Sequence, residues 1–345
     1  MKKEIIKKER SSNLELLRIV LMMMVITLHY LNTYMGGILD VIVPGTFNYY
    51  LAHFLESLCI VSVNVFVLIT GYFSHKKTSI KVSKVGQLFS LGIFYSLVLA
   101  GIAVFILKLN PINRDTLNML NSSIFGSWFL VIYCFLYLLI PFINKLINNI
   151  NEKQLLTLII INVLMLNVYY TFFNTITLVD GGYGIGNFIN LYLIGAYISK
   201  YKNKYISIKY PLITYILITI VTTIFSFKNG LAWQYSTIFN VLGSVSLFLI
   251  FKNIKMKNYK FINNIAGYIF PIYCIHTCPF TAKYMFREIF NTPKYWHSNY
   301  MIVHLIITVL GVLIGCIIIE IIRRFIFGKI IDKNIDKIKY EVECK

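Results

Sequence analysis

The sequence predicts an all-α, polytopic membrane protein of about ten spanning helices, and three observations predict it. Hydrophobic residues make up 57% of the 345, charged residues only 14%, and the mean hydropathy is +0.70. Apolar stretches of about twenty residues, the length that crosses a bilayer, recur along the whole chain. The basic residues gather in every second connection between those stretches.

Taken in order, the first span covers 13–34, behind the basic leader "MKKEIIKKERSS". The second, 51–74, reads "LAHFLESLCIVSVNVFVLITGYFS", and Gly71 with the lysines after it marks its exit. The third, 86–108, lies between Lys84 and Lys108. The fourth, 125–144, opens on "GSWFLVIY"; Pro141 near its end predicts a kink or a stop. The fifth covers 154–173, and the sixth, 184–200, is short and glycine-rich. The seventh and eighth, 209–227 and 234–251, are split only by a short hairpin at Lys228, Asn229 and Gly230. The ninth, 262–280, should bend at Pro271, and the tenth covers 300–322.

Charge orients this layout. With the N-terminus in the cytoplasm, the inside segments hold 26 of the 33 basic residues. They are Lys2, Lys3, Lys7, Lys8 and Arg10, then Lys76, Lys77, Lys81 and Lys84, then Lys145 and Lys153. Lys200, Lys202, Lys204 and Lys209 follow, then Lys252, Lys255, Lys257 and Lys260, and finally Arg323, Arg324, Lys329, Lys333, Lys337, Lys339 and Lys345. The outside connections hold six, and Arg18 lies within the first span. This is the positive-inside pattern for ten spans with both termini cytoplasmic. One span more or fewer would reverse the bias of every later loop.

The net charge of +19 therefore orients the chain and meets anionic lipid, and no nucleic-acid partner is expected. The six cysteines form neither a staple framework nor a metal pattern. Cys274 and Cys278 flank His276 without a second ligand cluster, so no metal is expected. The first apolar segment is interrupted by charge and lacks a cleavage site, so it does not read as a removable signal. The chain divides into a basic tail over 1–12, a transmembrane domain over 13–324 and a second cytoplasmic tail over 325–345. The last tail reads as a surface-lying amphipathic segment or a frayed end.

Ionisable groups in hydrocarbon are costly and ask for a reason. Arg18 is the first. It could snorkel to the inner headgroups, or hold phosphate oxygens with its planar donors. Glu15, three residues earlier, is placed to hold the guanidinium. His29 follows Arg18 by eleven residues, which is close to three turns and about 16 Å, so both side chains share one face. In the second span His53 and Glu56 sit three apart, placed to pair with each other or with a sugar, and Asn64 reads as helix-to-helix glue. Trp128 reads first as an interfacial anchor. His276 in the ninth span lies at roughly the level of His29, so the two could face one cavity.

Five segments together resemble the membrane acyltransferase 3 family of bacterial surface-glycan acyltransferases. "LELLRIVLMMMVITLHY" resembles its first-helix pattern of an acidic residue, Leu-Arg, and a histidine eleven residues on, filled here by Arg18 and His29. "VNVFVLITGYFS" is similar to a phenylalanine-rich segment that usually ends in Ser-Gly-aromatic, with Thr70 in the serine place. "SWFLVIYCFLYLLIPFI", "GGYGIGNFINLYLIGAY" and "IAGYIFPIYCIHTCPF" resemble three later segments, with His276 in the late histidine place. The likeness runs from about Ser12 to Arg324. Where the family often has arginines after the second span, this chain has Lys81 and Lys84. Many relatives carry an extracellular hydrolase-like domain, so the chain is expected to sit with the stand-alone members, which act on capsule, exopolysaccharide or adhesin.

The resemblance implies transfer of an acyl group, most simply acetyl from cytoplasmic acetyl-coenzyme A, to a sugar hydroxyl of a surface polysaccharide or its lipid-linked precursor. It implies a multi-pass protein of the bacterial plasma membrane, with no permanently bound cofactor. It is compatible with a homo-oligomer or a glycan-synthesis complex. Arg18 and the Lys76, Lys77, Lys81 and Lys84 cluster are candidates for the donor's phosphates. His29 is the candidate base, or the residue that is itself acylated. Asn64, Tyr268 and His276 are candidate donors to an oxyanion. The rival reading is a transporter of a lipid-linked sugar, with His29 as proton relay; the five ordered segments favour acyl transfer.

Overall fold

The computed structural model describes residues 11–106, 108, 110, 113–125, 127–173, 177–335 and 340–344. The leader's Lys2, Lys3, Lys7, Lys8 and Arg10, and the tail's Lys337, Lys339 and Lys345, lie outside the described residues. The rest is almost entirely helical. Among the described residues, eight helices are long and apolar enough to cross a membrane: Ser12–Leu31, Phe47–Ser74, Val82–Ile106, Trp128–Asn149, Glu152–Phe173, Lys209–Ser226, Gly230–Lys252 and Met301–Gly328. Between them lie Ile185–Tyr201, a helix of 17 residues, and a broken helical segment over 260–276.

Two local expectations are corrected. Pro141 neither ends nor splits its helix, which continues to Asn149. The second span ends where expected, at Ser74, three residues past Gly71. The ninth segment is not one helix: Lys260–Ile265 passes through a tighter turn, Ala266–Tyr268, into Ile269–His276. Pro271 has no N–H to give the Gly267 carbonyl four residues earlier. Arg324 from the last helix supplies the missing donor, with Nη2 at 3.0 Å from that carbonyl.

Close packing explains Gly71 and Gly195. A Cβ on Gly71 would stand 2.2 Å from the Tyr192 carbonyl oxygen, and one on Gly195 would stand 2.3 Å from that of Leu68. Ser62–Ser74 and Ile185–Tyr201 therefore touch backbone to backbone, the contact that small residues permit between membrane helices.

The first helix lies between two apolar cores. Leu14, Leu17, Leu21, Met24 and Leu28 face the one that contains Leu68, Phe188 and Phe248. Ile19, Met22, Val25, Ile26 and Tyr30 face the other, with Tyr95, Ile272 and Phe286. Arg18 and His29 thus ride on a central element.

The connections gather at two ends. At one, Ser12 Oγ donates to Asn263 Oδ1 at 3.0 Å, Lys200 Nζ to the Ile147 carbonyl at 2.8 Å, and Lys252 Nζ to the Lys204 carbonyl at 3.0 Å. At the other, Arg287 holds the Thr33 and Met35 carbonyls, each at 2.8 Å, and Asn48 Nδ2 donates to the Ser298 carbonyl at 3.0 Å. A two-stranded antiparallel ribbon closes the first end: Ser79–Lys81 pairs with Glu341–Glu343, Ile80 opposite Val342. The last helix reaches Ile335 before this strand. The end of the chain is thus folded against the connection after the second helix, not lying free.

Candidate active site

A cavity of about 770 Å³ runs beside the first helix and is lined by both Arg18 and His29. Arg18 sits six residues in from Ser12, and His29 two residues before the helix ends at Leu31. The cavity therefore extends along most of that helix, and His29 lies toward the end opposite the ribbon.

His29 and His276 are in direct contact, with His29 Nδ1 2.9 Å from His276 Nε2. Behind them, His276 Nδ1 is 2.6 Å from the Ile272 carbonyl oxygen. A carbonyl only accepts, so that nitrogen carries the proton. In the neutral pair, His276 Nε2 then holds a lone pair and accepts from His29 Nδ1–H. This leaves His29 Nε2 as the basic nitrogen, on a ring that lines the cavity. His276 is fully buried and orients its neighbour. Tyr273, which also lines the cavity, shares a hydrogen bond with Ser127 Oγ at 3.1 Å.

Arg18 pairs with Glu15 through Nη1, at 3.3 Å from Oε2 and 3.4 Å from Oε1. Its other guanidinium nitrogens have no hydrogen-bond partner among the described residues and are available on the cavity surface. Lys76, Lys77, Lys81 and Lys84 stand at the same end but do not line the cavity. Lys77 donates to Ser74 Oγ at 3.1 Å. Burial, then the Lys84 and Arg18 charges, hold its ammonium below the ordinary lysine range. Three cations thus share one electrostatic neighbourhood at the Arg18 end of the cavity. All four lysines keep exposed side chains, and Lys81 belongs to the ribbon.

The remaining predicted residues separate. His53 does not pair with Glu56. Its Nδ1 meets Ser226 Oγ at 2.8 Å, and its ring packs among Tyr49, Phe227 and Trp233. Glu56 lines the cavity instead. Trp128 stacks on Tyr235 at 5.6 Å between centroids and faces the cavity. Thr70, in the serine place, donates to the Phe66 carbonyl at 3.0 Å and lies 3.2 Å from Tyr133 Oη.

Asn64 has a specific task. The helix Gly230–Lys252 is interrupted at Gln234–Thr237, leaving carbonyls without helical partners. Buried amides supply them: Asn64 Nδ2 bonds the Tyr235 carbonyl at 2.8 Å, and Asn167 bonds that of Ser236 at 2.8 Å. Asn240 Nδ2 bonds the Ala232 and Gln234 carbonyls at 2.9 and 2.7 Å. Irregular backbone in a membrane protein survives where it lines a cavity and is satisfied like this.

Sequence reading missed the Gln234–Tyr235 wall and Glu320. Glu320 is fully buried and receives Arg323 Nε at 2.7 Å, Arg324 Nε at 2.6 Å and the Tyr95 hydroxyl. The "EIIRR" spacing was the available signal, since residues three and four apart share a helix face.

A helical membrane protein with a cavity running from Arg18 to His29, itself paired with His276, defines a class suited to catalysis at a membrane. Residues 11–321 match the acyltransferase 3 family, described as an acyltransferase domain, and the chain belongs to that family of membrane acyltransferases. It is therefore an acyltransferase. No curated protein matched the chain, and no solved structure did.

Proposed function

We propose that the protein moves an acyl group, most simply acetyl, from cytoplasmic acyl-coenzyme A to a hydroxyl of a bacterial surface polysaccharide or its lipid-linked precursor. One observation carries this reading: a single cavity joins an arginine with free donors at the basic end to a histidine whose partner fixes its basic nitrogen. The donor's phosphates are taken by Arg18, with the Lys76, Lys77, Lys81 and Lys84 cluster attracting them electrostatically. Its thin arm carries the thioester along the first helix toward His29. His29 Nε2 accepts the hydroxyl proton as the oxygen bonds to the thioester carbon. The carbon–sulfur bond then breaks, and the thiolate leaves with that proton as free coenzyme A thiol.

The orientation belongs to the same reading. We place ten crossings with both termini in the cytoplasm of a bacterial plasma membrane. The basic connections support it, and so does the ribbon, whose two strands must lie on one side.

Arg18→Lys keeps the charge and loses the fork. The apparent KM for acetyl-coenzyme A should rise about tenfold, the worth of one charge-assisted hydrogen bond, with a smaller change in kcat. Steady-state kinetics in nanodiscs would show it. An unchanged KM with a collapsed kcat would contradict the binding role, and no acetyl-coenzyme A consumption by the wild type would contradict the function.

A further inference from the structure

Away from Arg18, the same cavity has a wall the transfer step does not use. Glu56 lines it, is 8% exposed, and its Oε2 has no hydrogen-bond partner. A buried carboxylate oxygen left empty is unusual and costly. Trp128, Tyr183 and Tyr235 stand beside it as a box: Tyr183 meets Trp128 edge-on at 4.6 Å and Tyr235 at 5.0 Å, with Trp128 and Tyr235 stacked. The box is fixed to the Glu56 helix. Trp233 Nε1 donates to Ser57 Oγ, the residue after Glu56, at 3.1 Å, and Asn64 carries Tyr235. Gln234, between them, also lines the cavity.

We propose that this wall is the acceptor subsite, that it binds one pyranose ring, and that Glu56 Oε2 accepts a hydrogen bond from a ring hydroxyl beside the one acylated. The inference rests on the acyl-transfer reading above. A pyranose has an apolar C–H face and a polar hydroxyl edge. Flat aromatic rings cover the first, while a carboxylate, an amide and two phenols answer the second. A cationic acceptor would also suit rings and a carboxylate. It would leave the Gln234 amide and the phenols without a task, so the polyol fits better. A site built to bond a hydroxyl rejects ligands that lack it, because its own buried groups then go unpaired.

Two of the chain's three tryptophans, Trp128 and Trp233, line this cavity, so the protein reports on it directly. The full chain would be placed in nanodiscs with Trp296→Phe, and its fluorescence titrated with octyl β-D-glucopyranoside and octyl N-acetyl-β-D-glucosaminide below their micelle concentrations. Octanol and octylamine share the tail without the ring. The proposal expects a saturable change with an octyl glycoside, none with octanol or octylamine, and an affinity weakened about tenfold by Glu56→Gln. Gln keeps the volume and an acceptor oxygen but not the carboxyl group; Glu56→Ala should weaken it further. No saturable response to either glycoside, an equal response to octanol, a response to octylamine instead, or an unchanged affinity in both Glu56 variants would overturn it. Thiol release from acetyl-coenzyme A by the same wild-type preparation is a separate readout. If that fails while sugars still bind, the transfer reading falls and the subsite stands.

Discussion

Replacing His29 by asparagine is expected to lower acyl transfer by about 10²–10⁴-fold, the usual worth of a positioned base. Asparagine is the sharp substitution. Its amide can still donate to His276 Nε2, so the contact that places the side chain survives. What it lacks is a basic nitrogen. The protein should still insert, and its affinity for acetyl-coenzyme A should change little, because Arg18 lies eleven residues away at the other end of the helix. Transfer would be measured at matched membrane abundance beside His276→Asn. If His29→Asn keeps more than about a tenth of wild-type turnover, the base lies elsewhere and His276 becomes the next candidate.

The second large effect is on stability. Glu320→Ala should destabilise the fold by about 3–5 kcal/mol, because it removes a buried carboxylate that accepts from Arg323, Arg324 and Tyr95. Arg323 is 5% exposed and holds both Glu320 oxygens, at 2.7 and 2.9 Å. Arg324 is oriented by the same carboxylate while it completes the Gly267 carbonyl and lies 4.5 Å over the Tyr268 ring. Losing Glu320 would therefore loosen the broken ninth segment that carries His276. The unfolding midpoint in detergent should fall by roughly 5–10 °C. An unchanged midpoint would show that Arg323 finds other anions, and that the clasp does not hold the segment.

What the sequence displayed was local. The apolar lengths marked helices because a bilayer demands them. Glu15 and Arg18 could be paired from their spacing, and the structure pairs them. Arg18 and His29 could be placed on one face from eleven residues and 3.6 per turn, and one cavity receives both. His276 could be set at a similar depth, but its contact with His29 joins residues 247 apart, and no spacing encodes that.

The misreadings came from partners of the same long-range kind. Asn64 read as helix-to-helix glue and its amide does bridge helices, but nothing nearby showed that the Tyr235 carbonyl would be its partner. Trp128 showed no cavity role in the sequence because its ring partners, Tyr183 and Tyr235, are remote in sequence. His53 and Glu56 looked like a pair at i and i+3, but Ser226 takes the histidine and the cavity takes the carboxylate. Pro271 correctly announced a disturbance. Which group would fill the vacated carbonyl depended on Arg324, on another helix.

The most direct test uses sealed vesicles prepared from expressing cells in both orientations and given labelled acetyl-coenzyme A, which does not cross the bilayer. With the basic face outward, label should enter membrane glycan or lipid-linked sugar, and His29→Asn should abolish that signal at equal protein abundance. Vesicles of the opposite orientation should stay unlabelled until they are permeabilised. Label appearing only when the donor meets the face opposite Arg18, or appearing equally with His29→Asn, would contradict the account.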